Sequence, residues 1–214
     1  MTGWVQPAPG RGEIAPGLVL SDTWTRFGAY LLDALVLFPV GVVTRLAFGP
    51  YTHVAGQVIA SPRDIAVSLI GLAAHAAYFI GFWSGGRRAS PAQRLCKLEV
   101  ANAFDGTSLT RAQATRRWVA MGSWISLTSL VTAASVAGGV AYLTWYVALL
   151  ITTSRSPTKQ GLHDRFANTI VVREAGGAPG WLLAILAAAL WVVVLYIWIK
   201  FILSYAIVSV TAPG

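Results

Sequence analysis

The sequence has few charged residues, and this scarcity decides the solvent in which it folds. Only 11% of the 214 residues are charged, whereas 56% are hydrophobic. Several apolar runs approach the roughly 20 residues that cross a hydrocarbon core of about 30 Å. We therefore expect an integral membrane protein in which most of the chain is committed to membrane spans, with no room for a soluble catalytic domain.

Further absences narrow the function. The single cysteine, Cys96, excludes an intrachain disulfide framework. The chain has no nucleophile elbow, phosphate loop or metal-binding helix, and His53, His75 and His163 are too dispersed to suggest zinc. We expect no enzyme activity, no metal and no cofactor. Residues 1–21 are rich in Pro and Gly and lack the apolar core of a signal peptide, so we expect a flexible cytoplasmic segment there.

Hydropathy predicts five membrane spans, at residues 26–47, 64–83, 118–134, 137–153 and about 181–203. The third and fourth come from one apolar stretch, which as a single helix would measure roughly 54 Å. The small residues of TAASVAGG at its middle favour a tight hairpin near 135–139. The fold class is therefore an all-α membrane protein with a five-helix transmembrane bundle. Its last span belongs to a C-terminal segment, 174–214, that ends in a short outer tail.

Lysine and arginine are concentrated in two loops, which sets the orientation of the spans. The 84–117 loop contains Arg87, Arg88, Arg94, Lys97, Arg111, Arg116 and Arg117, and the 154–180 loop contains Arg155, Lys159, Arg165 and Arg173. Because cytoplasmic loops retain such residues, we expect both loops and the N-terminus inside and the C-terminus outside. The residues expected to contact anionic lipid head groups on the inner face are Arg87, Arg88, Arg94, Arg116 and Arg117. No recognition motif accompanies these cations, so a nucleic-acid partner is not expected.

The two basic loops also contain short strand patterns. In LCKLEVANAFDG, apolar and charged residues alternate from Cys96 to Val100, and Asp105-Gly106 supplies a turn. A second run, 169–172, is β-branched, and we expect the two runs to pair as a small cytoplasmic β-ribbon. Between them, Thr110 and Gln113 match a capping box that starts a helix leading into the third span.

One aspartate, Asp33, lies inside the first apolar span. A carboxylate at the centre of a membrane helix costs about 2.5 to 3.5 kcal/mol, so it needs a partner or water. Arg26 shares its helix face but lies about 10.5 Å away along the axis. His75 should lie at a similar depth on the antiparallel second span. Two interpretations remain for Asp33, namely a proton or cation site and a structural carboxylate that holds the bundle together by hydrogen bonds.

Three motifs carry a resemblance to a known family. They are RFGAYLLDALVL at 26–37, SPAQRLCKLEVANAFDG at 90–106 and KQGLHDRFANTIVV at 159–172. Together they resemble the RDD family of bacterial membrane proteins, over residues 22–173. The resemblance makes Arg26 the signature arginine and Asp33 and Asp164 the signature aspartates. The sequence departs from the family pattern at SPAQR, where a Pro-Gly-Lys sequence is common. The resemblance implies a multi-pass protein of the bacterial inner membrane, from a group suspected of transport.

The predicted polar network comprises Asp33, His75, Arg26, His163 and Arg165. Arg26 is either a snorkelling interfacial cation or the partner of Asp164 in a cytoplasmic gate, and Asp164 is otherwise a helix cap or a local salt bridge. His75 is either a core histidine or a proton relay.

Two functions follow from these residues. The first is a small transporter of a proton, a cation or a small ligand that uses Asp33, as a homo-oligomer or within a larger membrane complex. The alternative is a non-transporting accessory or scaffold subunit of a membrane complex that binds anionic lipid through its basic loops.

Overall fold

Long helices dominate the computed structural model, which describes residues 4–5, 13–49, 59–131, 135–175 and 180–211. In chain order the elements are β1 (Glu13–Ala15), β2 (Leu18–Leu20), α1 (Thr23–Phe48), α2 (Pro62–Ser84), α3 (Pro91–Leu95), β3 (Leu98–Asn102), α4 (Arg111–Met121), a 3-10 helix (Ser123–Leu130), α5 (Ser135–Arg155), α6 (Leu162–Ala167), β4 (Thr169–Glu174) and α7 (Gly180–Thr211). Within these described residues, four helices are long and apolar enough to cross a membrane: α1, α2, α5 and α7. The chain is therefore a multi-pass membrane protein.

The helix bundle has two distinguishable ends. At the end that we name the sheet end, the strands lie beside the start of α1, and Ser21 N donates to Val171 O at 3.0 Å. At the opposite end, the far end, Arg45 in the last turn of α1 forms an ion pair with Asp64 in the first turn of α2, with 2.9 Å between Nη1 and Oδ1. These charges complement the dipoles of the two helix ends. α1 and α2 are therefore antiparallel neighbours.

The third predicted span, 118–134, is not one apolar helix. α4 ends at Met121, Gly122 is left-handed with a φ of 78°, and the chain continues as the 3-10 helix. The hydroxyls of Ser126 and Thr128 each donate to the carbonyl three residues earlier at 2.7 Å, which favours the tighter winding. Leu130 O then accepts from Ala60 N, directly before α2. This segment therefore leads from the sheet end to the far end without forming a fifth long helix.

The predicted hairpin at 135–139 is wrong, because these residues form the first turns of α5. Their glycines serve packing instead of a turn. A Cβ on Gly138 would overlap Oγ1 of Thr128 in the 3-10 helix, so only a glycine permits this approach. The connection from the 3-10 helix to α5 includes residues 132–134, which lie outside the described residues.

The two predicted strand runs pair with each other. β3 and β4 are antiparallel, with Val100 opposite Val171. The N-terminal segment adds two strands, so that the sheet order is β1-β2-β4-β3. The expectation of a flexible segment over 1–21 is therefore wrong for β1 and β2, because apolar side chains such as the fully buried Ile14 pack into the core of the sheet. Residues 1–3 and 6–12 of that segment lie outside the described residues.

Residues 84–102 and 155–173 contain the same local structure at the same spacing. In each copy a long helix ends, a short helix starts whose third side chain accepts a hydrogen bond from the N-cap backbone N–H, and a strand follows. Two residues with positive φ, one before and one after the short helix, occupy equivalent places. They are Arg88 (52°) and Lys97 (54°) in the first copy and Lys159 (52°) and Asn168 (53°) in the second. The chain therefore contains an internal structural repeat.

The repeat includes the preceding long helices. α1 and α2 precede α3 and β3, just as α4 with the 3-10 helix and α5 precede α6 and β4, and α3 packs on α1 as α6 packs on α4. The opposed residues Val100 and Val171 occupy equivalent positions, so a pseudo-twofold axis passes through this pair. Both copies start at the sheet end, so the axis runs along the bundle. We name α1, α2, α3 and β3 repeat 1, and the equivalent elements from α4 to β4 repeat 2.

α7 lies outside the two repeats and packs along α1. A Cβ on Gly28 would lie 2.9 Å from Ala184 N, so this position permits no larger residue without a shift of the helices. Gly180, the first residue of α7, lies against the carboxylate of Asp22, the N-cap of α1. α1 and α7 therefore start at the same end of the bundle and run parallel.

Candidate functional site

Asp164 lies at the centre of a buried ion cluster at the sheet end. Arg26 Nη1 from α1 donates to Asp164 Oδ2 at 3.0 Å, and Arg117 Nη1 from α4 donates to Oδ1. Arg26 Nη2 also donates to Val171 O at 3.1 Å. Asp164 is fully buried, and only 4% of the Arg117 side chain is exposed. Arg26 and Asp164 are therefore direct partners, although they lie far apart in the sequence.

Further contacts hold α4 and α6 in place around Asp164. Gly161 N donates to Asp164 Oδ2 at 3.1 Å, so the Asp164 carboxylate caps the start of α6. Arg117 Nη1 also donates to Thr169 Oγ1 at 2.6 Å, and its guanidinium lies 4.9 Å from the centroid of the Trp83 ring. Arg117 thus joins α4 to α2, α6 and β4 at once.

The cluster keeps its carboxylate ionised and its imidazole neutral. Burial alone would raise the pKa of the Asp164 carboxyl, but Arg117, His163 and Arg26 together place it well below its ordinary value of 3.8. Burial lowers the pKa of His163 to about 4, so this side chain is uncharged at neutral pH. Its Nδ1 is buried and has no partner among the described residues. The positive charge of the cluster therefore belongs to the two guanidinium groups.

Asp33 holds the start of α3 against α1. Its Oδ1 accepts hydrogen bonds from the Tyr78 hydroxyl at 2.7 Å and from Ala92 N at 3.1 Å, and its Oδ2 accepts from the hydroxyl of Ser90, the N-cap of α3. Asp33 is fully buried. All three donors are neutral, and the carboxylate forms no ion pair with a described residue. The geometry therefore favours the structural interpretation of Asp33.

His75 is not among these partners. Its Nδ1 accepts a hydrogen bond from Trp118 Nε1 at 2.8 Å, which joins α2 to α4. The face of α2 that meets Asp33 presents Tyr78, almost one helical turn further along. His75 therefore occupies the place of a satisfied core histidine.

Two arginines that follow each other in α4 have opposite environments. The expectation that Arg117 contacts lipid head groups is wrong, because this side chain is buried against Asp164, whereas Arg116 is exposed. Arg165 of the predicted network is also exposed and takes no part in the Asp164 cluster.

The other three arginines expected at lipid head groups lie around α3. Arg87 is exposed. Arg88 forms an ion pair with Glu99 of β3, and the Arg94 guanidinium lies 5.2 Å from the centroid of the Phe82 ring. Of these three arginines, Arg87 is therefore the one whose side chain is exposed.

A cavity of about 90 Å³ with a mixed apolar and polar lining lies between the two repeats. Repeat 1 contributes side chains from α1, α2 and α3, and repeat 2 from α4, α5, α6 and β4. Its polar lining includes Arg26, Tyr30, Asp33, Gln93, Arg117, Tyr146 and His163. A single water needs about 10 to 15 Å³ measured in this way, so the cavity has room for several waters or a small solute. No group of three or more His, Cys, Asp or Glu that could hold a metal occurs in the described part of the chain.

The match to a known family coincides with the two repeats. The model of the RDD family matches residues 20–168. The chain belongs to the RDD family. A search of the curated proteins and a search of the solved structures each found no match. α7 and the whole of β4 lie beyond the residues that this RDD match covers.

The three signature residues of this RDD protein act on equivalent elements. Asp33 fastens α3 to α1 in repeat 1, and Asp164 fastens α6 to α4 through Arg117 in repeat 2. Arg26 connects the repeats, because it extends from α1 to Asp164 and to the carbonyl of Val171. These three residues therefore anchor two short helices and make one contact across the interface of the repeats.

Sequence reasoning assigned Arg117 to the lipid surface and missed its place in the Asp164 cluster. Arg117 lies on the buried face of α4 with Ala114 and Met121, which precede and follow it by three and four residues. Arg116 lies off this face and is exposed. The helical spacing of the small and apolar residues was the signal that could have separated the two arginines.

Proposed function

We propose that this RDD protein is a small-solute transporter whose solute site is the cavity between the two repeats. The observation that carries the proposal is the lining of the cavity, to which both repeats contribute polar side chains. In transporters built from parallel repeats, the pseudo-twofold axis runs along the membrane normal and the solute binds at the repeat interface. Rocking of one repeat against the other then exposes the site to each side in turn.

A contact between the repeats closes each end of this interface. At the sheet end, Arg26 of repeat 1 binds Asp164 of repeat 2. At the far end, Ile59 before α2 and Val131 after the 3-10 helix form an antiparallel bridge. A solute that passes between the repeats requires these two contacts to open alternately. Asp33 moves with repeat 1 in this scheme and shapes the cavity wall through α3.

We further propose that the sheet end is cytoplasmic and that the chain crosses the membrane five times, with α4 and the 3-10 helix as the third crossing. α1 and α7 start at the same end and run parallel, which requires an odd number of crossings. Exposed arginines at the sheet end, such as Arg87 and Arg116, support the inside assignment.

Reporter fusions test this topology in bacterial cells. An alkaline phosphatase fused to the C-terminus is expected to be active, because that enzyme matures outside the cytoplasm, whereas a phosphatase fused after the exposed Gly86 is expected to be inactive. A fluorescent protein fused to the N-terminus should fluoresce. Four crossings would instead place both termini inside and leave the C-terminal phosphatase inactive.

A disulfide across the far end tests the transport proposal. The bridge partners Ile59 and Val131 have exposed side chains, so the pair Ile59→Cys and Val131→Cys can form without disturbing the core. The background carries Cys96→Ala, since Ala167 occupies the equivalent position in repeat 2. Fluxes of H⁺, Na⁺, K⁺ and Cl⁻ are recorded in liposomes with ion-specific dyes. The flux through the oxidised variant is expected to be about tenfold or more below that of the wild type, and dithiothreitol should restore the flux.

Ile59→Cys alone is the matched control and should not respond to the oxidant. A disulfide whose formation is verified but which leaves the flux unchanged would contradict alternating access at this interface.

The accessory-subunit alternative draws support from the exposed arginines of the sheet end. Arg87 and Arg116 can each contribute about 1 kcal/mol to binding of an anionic membrane surface. Wild-type protein that moves none of the four ions, yet purifies with a stoichiometric membrane partner, would favour this alternative over transport.

A further inference from the structure

Two arginines that line the cavity between the repeats, Arg26 and Arg117, have N–H donors without a partner among the described residues. A guanidinium carries five N–H donors. Arg26 uses Nη1 and Nη2 on Asp164 and Val171, and Arg117 uses Nη1 on Asp164 and Thr169. Nε of each arginine is buried without a partner among the described residues. Buried donors of this kind cost free energy unless an acceptor meets them.

Most of the acceptors around the cavity, in contrast, are already occupied, and the buried Nδ1 of His163 is an exception. The oxygens of Asp164 accept from two guanidinium groups and one backbone N–H, and those of Asp33 accept from two hydroxyls and one backbone N–H. The hydroxyls of Tyr30 and Tyr146 lie 2.7 Å apart, so one hydrogen serves this pair. The hydroxyl of Tyr142 also interacts with both of them, and Ser123 Oγ lies 3.5 Å from the Tyr146 hydroxyl. The wall therefore offers donors to a ligand.

The positively and negatively charged groups that line the cavity are unevenly distributed. Arg26 and Arg117 share one carboxylate, Asp164, so an excess of one positive charge remains at this end of the cavity. Asp33 lies two helical turns from Arg26, about 10 Å along α1, and binds neutral donors there. A buried excess charge is strongly unfavourable unless a counter-ion neutralises it.

We propose that the cavity binds a small monovalent anion, such as chloride, nitrate or formate, between the guanidinium groups of Arg26 and Arg117 and the hydroxyls of Tyr30 and Tyr146. A cavity of about 90 Å³ has room for an ion of this size. The assignment deepens the proposed function by naming the solute class. It rests on that function for the transport step only, because binding is measured separately.

Thermal unfolding of the full-length protein in a maltoside detergent tests the site. The salt is sodium gluconate, whose anion is bulkier than the three test anions, and it is replaced stepwise by chloride, nitrate or formate at constant ionic strength. A bound anion raises the melting temperature along a saturable curve, because it binds the folded state alone. Phosphatidylglycerol is added in a separate arm to detect a lipid phosphate at the same guanidinium groups.

Three variants locate the bound anion. Arg26→Gln leaves Arg117 balanced by Asp164, so the saturable response should disappear. Tyr30→Phe removes a donor but no charge and should weaken the affinity about tenfold. Arg116→Gln removes an exposed arginine next to Arg117 and should respond like the wild type. The Tyr30 variant keeps the test valid if Arg26→Gln does not fold.

The outcomes separate the two proposals. Saturable stabilisation of the wild type and of Arg116→Gln, weakened in Tyr30→Phe, supports the anion site. Identical curves in gluconate and chloride, or stabilisation by phosphatidylglycerol alone, would overturn it. Flux of Na⁺ or K⁺ without anion binding would overturn the anion site and leave transport standing. Saturable anion binding without flux of any ion would keep the site and contradict transport.

Discussion

Asp164→Asn is expected to lower the free energy of unfolding by about 3 to 5 kcal/mol, the typical cost of removing one partner from a buried ion pair. The substitution leaves the guanidinium groups of Arg26 and Arg117 without a counter-charge in a fully buried place. It also weakens the cap of α6, since the Asp164 carboxylate accepts the hydrogen bond from Gly161 N. Thermal unfolding of the purified protein measures this loss.

The pH dependence of stability gives an independent readout of the same carboxylate. The folded-state pKa of Asp164 lies below the ordinary value of 3.8, so its contribution is fully present above that value and is lost as the pH falls towards the folded-state pKa. The wild type should therefore lose stability in acid. Asp164→Asn should lose less as the pH falls below about 4, because it has no carboxylate to protonate at this position.

Two further variants decide whether the cluster acts as a unit. Asp105→Asn changes the same residue type in an exposed turn and should leave the melting temperature nearly unchanged. Arg26→Gln combined with Asp164→Asn removes one of the two unpaired cations, so the double variant should cost less than the sum of the single ones. Additive losses would show that Arg26 and Asp164 have separate roles.

The parts of the structure that the sequence predicted are those fixed by local pattern. Hydropathy identified the long helices because a lipid-facing helix needs apolar residues over its whole length. Alternation and β-branching predicted that β3 and β4 pair, and the spacing of Thr110 and Gln113 predicted the capping box of α4. The proximity of Arg26 and Asp164 came instead from the family resemblance, since no local pattern connects α1 to α6.

The features that escaped prediction depend on what a residue meets in three dimensions. Gly138 is of a residue type that is typical of turns, but here its lack of a side chain leaves room for Thr128 of the 3-10 helix. The repeat is hidden because few positions are constrained by it, chiefly the helix starts at which Gln93 accepts from Ser90 N and Asp164 accepts from Gly161 N. Side chains between these positions are free to differ, so hydropathy alone shows no symmetry.

The single cysteine provides a local probe for the role of Asp33. Cys96 is the C-cap of α3 and is buried, and burial, assisted by the charge of Asp33, raises the pKa of its thiol to about 11. Maleimide should therefore modify Cys96 slowly in the native protein. Release of α3 from α1 would expose the thiol without unfolding the bundle.

Asp33→Ala is expected to raise the rate of Cys96 modification about tenfold or more. Each hydrogen-bond donor of α3 that is left unsatisfied lowers the free energy of local opening by about 1 to 3 kcal/mol. Asp33→Asn should change the rate much less, since its amide oxygen can still accept from Tyr78 and Ala92 while its NH₂ group meets the hydroxyl of Ser90. The order of the two variants thus separates hydrogen bonding from charge. If Asp33→Asn abolished proton flux in liposomes while Asp33→Ala left Cys96 as protected as in the wild type, α3 would be held by other contacts. The carboxylate would then act in transport through its proton.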